Sequence, residues 1–323
     1  MRSIRRILVA VKDPQAKSLP AVAKATQLAR ALGAELELFH GIDSSIYFDT
    51  LDGTQQSPKQ VEDEERKQVL QQLERIAARV HRHGVKVTSA AEWDYPVYES
   101  IVRRASRIGA DLIVAERHAG RHTLQSLLRL TDWELLRLSP VPVLLVKRSQ
   151  PYHRPTVLAA VDPTHAFAKP AKLDQEILAV SSLVSHALRG RLHAVHAYSP
   201  MQPGMSAGTP EAAKRIQRAN ATLAKASFDR VLRSVDVPSA RRHLIAGHPI
   251  DAVRNVARES HCSIVVMGAI SRSGLKRVFI GNTAEQLLDR LPCDLLIVKP
   301  AEFVSRVPIT RRGARVVTIQ PVP

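Results

Sequence analysis

The sequence predicts an α/β protein of two tandem domains, each a five-stranded parallel sheet flanked by helices. Three observations predict it. First, the chain repeats itself. RILVAVKDP (6–14) resembles TVLAAVDPT (156–164), and AELELFHGID (34–43) resembles RLHAVHAYS (191–199). ADLIVAERHAGR (110–121) resembles CSIVVMGAISRS (262–273), and SPVPVLLVK (139–147) resembles LPCDLLIVK (291–299). Four matches in one order, offset by about 150 residues, mark a duplication. Second, short apolar runs alternate with helical periods in each half, which implies right-handed crossovers and a parallel sheet. Third, runs such as Ile264–Met267 and Leu295–Val298 are almost uninterrupted, as strands covered on both faces must be.

In the first half Ile7–Val11 reads as a strand. Val22, Ala25, Leu28, Ala29 and Leu32 then recur at helical spacing. Leu36–His40 is the second strand. Val69, Leu73, Ile76 and Val80 mark a long helix, with the acidic cluster Glu62–Glu65 expected at its N-terminal end, where the helix dipole favours anions. Val85–Ala90 is a weaker third strand. Val97, Ile101, Ala105 and Ile108 form a helical stripe. Leu112–Ala115 and Val143–Val146 are strands, with a helix over Gln125–Leu138 between them. In the second half Leu173, Ile177, Val180, Val184 and Ala187 make one apolar helical face. The polar, proline-bearing stretch Arg148–Pro155 is the join, giving domains at 1–149 and 150–302. Arg306, Arg311, Arg312 and Arg315 lie with Pro308, Gly313, Pro321 and Pro323 in a basic stretch, 303–323, expected to be a flexible tail.

Composition bounds the function. The 323 residues are 45% hydrophobic and 24% charged, a globular balance, while 4% aromatics demand an aliphatic core. Two cysteines, Cys262 and Cys293, exclude a disulfide scaffold and a Cys-only zinc site. No apolar run approaches ~20 residues, so no membrane span is expected. The run Ile7–Val11 is too short for a signal sequence, and a cytoplasmic protein is expected. Lys and Arg exceed Asp and Glu by 47 − 30 = +17. That excess permits nucleic acid, anionic lipid or phosphorylated ligands without selecting among them.

In an open parallel sheet, ligands sit beyond the carboxyl ends of the strands, where strand order reverses. After the first strand of each half lie Lys12 and Asp13, and Asp162 and Pro163. Each carboxylate can accept hydrogen bonds from a base or ribose, or serve as a turn residue. After its fourth strand the second half reads Gly268-Ala-Ile-Ser271-Arg-Ser-Gly274-Leu-Lys-Arg-Val-Phe-Ile-Gly281-Asn282-Thr283. Glycines let backbone approach a phosphate, and the N–H groups of a helix beginning after Gly281 would face an anion. Arg272, Lys276 and Arg277 add charge, and Asn282 or Thr283 can cap that helix.

The tandem halves, the carboxylate after the first strand, and the Gly-rich segment before a final LLIVK strand resemble the universal stress protein family, in its tandem two-domain type. GNTAEQLLDRLPCDLLIVKP (281–300), TDWELLRLSPVPVLLVK (131–147) and WDYPVYESIV (93–102) carry the likeness over about 1–302. It implies a Rossmann-like, adenine nucleotide alpha hydrolase-like fold, a cytoplasmic role in stress survival and, for this type, resistance to DNA-damaging agents. It also implies pairing of the two domains as a pseudo-dimer through Val143–Val146 and Leu295–Val298, and leaves a homodimer open.

Nucleotide-binding members carry Gly, two residues, Gly, nine residues, Gly, then Ser or Thr. Here those positions are Gly268, Ser271, Gly281 and Asn282, with Thr283 adjacent, so two of the four depart. The resemblance thus implies an ATP site, with Mg, in the second domain only: Asp162, Gly268, Ser271, Gly281, Asn282 and Thr283. The first half has Glu116 where the second has Gly268, and Arg129, Leu130 and Thr131 where the second has Gly281, Asn282 and Thr283. A carboxylate at a phosphate position repels a triphosphate. Trp133 reads as a packing residue.

No other chemistry emerges. Among 13 histidines, His193 and His196 lie three apart on a strand and so point to opposite faces. His40 and His196 match in the repeat and read as hydrogen-bonded strand residues near the sites. His81 and His83 follow a helix end and lack a third ligand, while His118 and His122, at a spacing that could share a helical face, fall in an expected loop. There is no nucleophile elbow, no phosphate-binding P-loop, and no acid, base and nucleophile set that names a reaction. The preferred reading is a non-catalytic binding or regulatory module. The alternatives are an ATP-binding protein with slow hydrolysis, and a salt-sensitive binder of nucleic acid or anionic lipid.

Overall fold

The computed structural model describes residues 3–49, 57–117, 125–164, 172–201, 208–269 and 287–319. It divides into two compact units. One comprises residues 3–151 together with 304–323, the other 1–2 with 152–303.

In the first unit the sheet runs β4(Val87–Trp93)-β2(Glu35–Ile42)-β1(Arg6–Ala10)-β5(Leu112–Glu116)-β6(Val143–Val146), with every neighbouring pair parallel. Order reverses between β1 and β5, so the switch point lies at the carboxyl ends of those two strands. Ile7, Leu8, Val9, Leu112, Ile113, Val114 and Leu145 are fully buried, which is why these strands read as unbroken apolar runs. Helices α1(Pro20–Leu32), α2(Pro58–His81), α3(Val97–Ile108) and α4(Gln125–Leu138) make the crossovers. α1 ends on Gly33 in the left-handed conformation, φ 66°, which a glycine adopts without a Cβ penalty.

α2 begins earlier than its acidic cluster suggests. Ser57 accepts from the Gln60 N–H, and the Gln60 side chain accepts from the Ser57 N–H, forming a capping box with Pro58 at the first turn. Glu62–Glu65 therefore sit beyond the first turn. Their region is tied down instead by Trp93, whose indole N–H donates to the Glu62 carbonyl at 2.9 Å.

The second unit repeats this order: β9(Arg242–Ala246)-β8(Arg191–Tyr198)-β7(Thr156–Ala160)-β10(Ile264–Gly268)-β11(Asp294–Val298), again all parallel. Helices α5(Leu173–Ala187), α6(Pro210–Val231) and α7(Pro249–Glu259) flank it. A buried Tyr152 hydroxyl donates to Asp294 Oδ2 at 2.6 Å, anchoring the start of the unit to β11. No helix among the described residues is long and apolar enough to cross a membrane.

The basic stretch after residue 303 is not a free extension over its described residues. It returns to the first unit, where β12(Arg315–Ile319) pairs in parallel with β3(Ser45–Asp49). Ser305 Oγ donates to the Leu138 carbonyl at 2.7 Å. Arg312 donates its backbone N–H to Asp94 Oδ1 at 2.9 Å and its guanidinium to Glu99 at 3.3 Å. Arg311 reaches Glu92 at 3.4 Å, and Arg315 donates to the Asp43 carbonyl. The guanidinium groups of Arg312 and Arg315 lie over the Tyr95 ring, 5.6 and 4.8 Å from its centroid. The physical cause is an acidic rim at the carboxyl end of β4, which a strand-forming basic segment can neutralise.

That rim is internally wired. Arg103, almost wholly buried, donates to Asp94 at 2.7 Å, to Glu99 at 2.9 Å and to the Pro308 carbonyl at 3.1 Å. Arg104 grips Glu37 through two nitrogens, at 2.6 and 3.0 Å, and reaches Glu92 at 2.6 Å.

Candidate functional site

The two switch points are built alike. After β1, Asp13 Oδ1 accepts from the Gln15 backbone N–H at 2.8 Å. After β7, Asp162 Oδ1 accepts from the Thr164 hydroxyl at 3.0 Å, while its own backbone N–H donates to the buried Asp174 of α5 at 3.0 Å. Each aspartate therefore holds its turn with one oxygen. Among the described residues the second oxygen of each has no partner, so it can accept from a base or a ribose hydroxyl.

In each unit the neighbouring strand carries a histidine bonded to the first turn. His40 Nδ1 lies 2.8 Å from the Val11 carbonyl, and His196 Nδ1 lies 3.3 Å from the Val161 carbonyl. In each case the ring N–H at Nδ1 donates and fixes the first turn after the strand. These are hydrogen-bonded strand histidines, as their matched places in the repeat suggest.

The clefts differ at the end of the fourth strand. In the second domain this is Gly268. A Cβ there would stand 2.7 Å from Leu173 Cδ2 and 3.2 Å from Ile177 Cδ1, both on α5. A Cβ there would force the Leu173 and Ile177 side chains to shift, so packing of α5 on β10 favours a glycine whether or not a phosphate lies nearby. Gly268 ends β10 and Asp162 lies two residues past the end of the adjacent β7, so the structure brings these two candidates to the same end of the sheet. Ser271, Gly281, Asn282 and Thr283 lie outside the described residues, as do Arg272, Lys276 and Arg277.

In the first domain the matching position is Glu116. With Lys12, Asp13, Ser18 and Val22 it lines a cleft of about 180 Å³. That is smaller than the roughly 300–1,000 Å³ of a small-molecule site. Two carboxylates face this cleft against one lysine.

The remaining reactive groups are quiet. Burial pushes the Cys262 thiol up to about 12, so it is no thiolate at neutral pH. Cys293 is buried too. His193 pairs not with His196 but with His243 of β9: His193 Nδ1 is 3.0 Å from His243 Nε2, and the rings stack. Burial first, then the neighbouring His243 and the arginines 241 and 191, lower His193 to about 4. Among the described residues no group of three or more His, Cys, Asp or Glu is placed to hold a metal ion.

Residues 3–147 and 156–299 each match the model of the universal stress protein family. The chain belongs to that family. Membership supports a stress-response role, carried by two tandem universal stress protein domains. Universal stress protein E of Escherichia coli K12 is 27% identical over 318 residues, 93% of this chain and 96% of that one. The Salmonella typhi protein of the same name is 28% identical over 313 residues, with the same coverage. Among solved structures, PA1789 of Pseudomonas aeruginosa PAO1, described as functionally unknown, superposes with a TM-score of 0.70. It is 22% identical and covers 93% of this chain and 94% of its own. A universal stress protein of Archaeoglobus fulgidus gives 0.61 at 16% identity, covering 93% of this chain and 98% of its own. These likenesses establish a Rossmann-like α/β fold.

Asp174 and Thr164, which set the Asp162 turn, went unmarked in the sequence. A carboxylate in the first turn of the helix after a switch-point strand was the available signal. The rim of Glu92, Asp94 and Glu99 gave no local signal at all.

Proposed function

We propose that this protein is a stress-response module that works by binding a ligand rather than by turnover, with one adenine-nucleotide site in its second domain. The observation that carries the reading is the asymmetry between the two switch points at the end of the fourth strand. Both offer an aspartate oxygen beyond the first strand. Only the second has a glycine at the end of the fourth strand; the first has Glu116 there, in a cramped and doubly acidic cleft. A triphosphate brought to Glu116 meets repulsion, whereas beside Gly268 it meets backbone.

In this reading Asp162 accepts from the base or ribose. Ser271, Gly281, Asn282 and Thr283 supply hydroxyl, amide and backbone N–H donors to the phosphates, and Mg accompanies them. Neither cleft presents a nucleophile beside a general base, which supports binding without catalysis. Cytoplasmic stress survival, including resistance to DNA-damaging agents, is the role the family likeness supports. Nucleic acid is a weaker candidate, because Arg311 and Arg312 are engaged by Glu92, Asp94 and Glu99.

Calorimetric titration of nucleotide-stripped protein with ATP and Mg²⁺ tests this. The expected result is one ATP per chain, abolished by Gly281→Glu and weakened about tenfold or more by Asp162→Ala, as loss of a hydrogen bond to a charged partner predicts. An Asp13→Ala change should leave it untouched. No binding at millimolar ATP, or loss on Asp13→Ala instead, refutes the assignment.

A further inference from the structure

A second concave site adjoins the first domain's switch-point cleft, sharing Leu19 and Val22 with it, and extends along α1 toward that helix's C-terminal end. α1 and α2 follow successive parallel strands, so they run side by side in the same direction. Between them is a groove of about 320 Å³. Its floor is apolar: Leu19, Val22, Ala23, Ile76 and Val80, with Thr26. Val22, Ile76 and Val80 are buried, and the Thr26 hydroxyl already donates to the Val22 carbonyl at 2.8 Å. The floor therefore asks for hydrocarbon, not for hydrogen bonds.

The rim has the opposite character. Lys17, Arg30, Arg79 and His83 surround the groove, and no acidic residue lines it. All four are exposed, and among the described residues none is held in an ion pair. Arg30 lies in the last turn of α1, Arg79 in the last turn of α2 and His83 just beyond it, so three of the four cations gather where the two parallel helices end, while Lys17 precedes α1. From Leu19 to Arg30 the groove follows α1 for about 16 Å, at a rise of 1.5 Å per residue. An open apolar trough with three cations at one end and Lys17 at the other complements an anionic amphiphile.

We infer that this groove binds a single-chain fatty carboxylate, its chain along Val22, Ile76 and Val80 and its head group at Arg30, Arg79 and His83. The volume sits at the small end of ligand pockets, which suits one medium-length chain and not a docked helix. Charge complementarity selects the anion: a neutral alcohol fills the trough but leaves the cations unanswered, and a cationic amphiphile is repelled. The site shares no residue with the nucleotide assignment and does not depend on it.

The test is calorimetric titration of the full chain with decanoate, below the concentration at which it forms micelles. One saturable site is expected. Arg30→Glu with Arg79→Glu should weaken it at least tenfold, and these exposed positions leave the core intact. Ala23→Trp, also exposed, should fill the trough and do the same. Decanol should bind at least tenfold more weakly than decanoate, and ATP should not compete. Equal affinity in the charge-reversed protein, or decyltrimethylammonium binding as tightly as decanoate, overturns the proposal. So does competition by ATP, absence of a saturable site, or an acidic amphipathic peptide binding where decanoate does not.

Discussion

Replacing Asp94 by alanine should loosen the first domain and release its strap together. Asp94 is 1% exposed and receives two bonds: Arg103 Nε at 2.7 Å and the Arg312 backbone N–H at 2.9 Å. Arg103 cannot turn to water, since its side chain is 3% exposed. Removing one partner of a buried ion pair costs roughly 3–5 kcal/mol, because the other charge stays buried. Here Arg103 keeps Glu99 and the Pro308 carbonyl, so the loss belongs at the low end, about 3 kcal/mol.

The assay is built into the sequence. Both tryptophans, Trp93 and Trp133, lie in the first half, so urea unfolding followed by their fluorescence reports that domain alone. With a slope of about 2 kcal/mol per molar urea, the midpoint should fall by about 1.5 M. Trypsin should also cut faster after Arg306 and Arg311, because the strap has lost its backbone anchor. A midpoint within about 0.2 M of the parent, on that same slope, would refute the view that Asp94 organises Arg103 and the strap.

Other consequences follow from groups in the second domain. His193 titrates near 4 in the folded chain against 6.5 unfolded, so the unfolded state takes up the proton first as pH falls. Stability present above pH 6.5 is then lost between about 6.5 and 4; the ceiling of about 3 kcal/mol shrinks to roughly 1 kcal/mol for a group this exposed. Subtracting the pH profile of His193→Gln from the parent's should isolate that loss, and identical profiles would exclude the His193–His243 pair as its source. Tyr152→Phe strips a 2.6 Å donor from buried Asp294 and should cost about 1–3 kcal/mol in thermal or chemical unfolding followed by circular dichroism. An unchanged transition would count against that anchor. Neither Cys262 nor Cys293 should react with a thiol reagent at pH 8 until the chain unfolds, given their burial and the raised Cys262 thiol. Rapid labelling of native protein would contradict the packing described.

What the sequence determined by itself is everything whose signal is local or periodic. The strands at Ile7, Leu112, Val143, Ile264 and Leu295 announce themselves because a strand covered on both faces tolerates no polar residue. The duplication announces itself because matched folds keep matched cores. The carboxylates after the first strands were legible as chemistry, though not as turn-holders, since hydrogen-bond partners two or twelve residues away carry no required spacing.

The tertiary structure alone decided the rest. Gly268 looks like a phosphate-loop glycine, yet Leu173 and Ile177, almost a hundred residues earlier, already press on that position. His193 finds its partner in His243 only because β8 and β9 lie side by side. The strap is the clearest case. Its prolines, glycine and arginines have the composition of a loose tail, and Val316 and Val317 remain largely exposed even when bound. Its order comes from Ser45–Asp49 and from Glu92, Asp94 and Glu99, more than two hundred residues away. A segment whose binding energy resides in distant backbone and charge, not in its own apolar pattern, has nothing in its sequence to announce that it is bound.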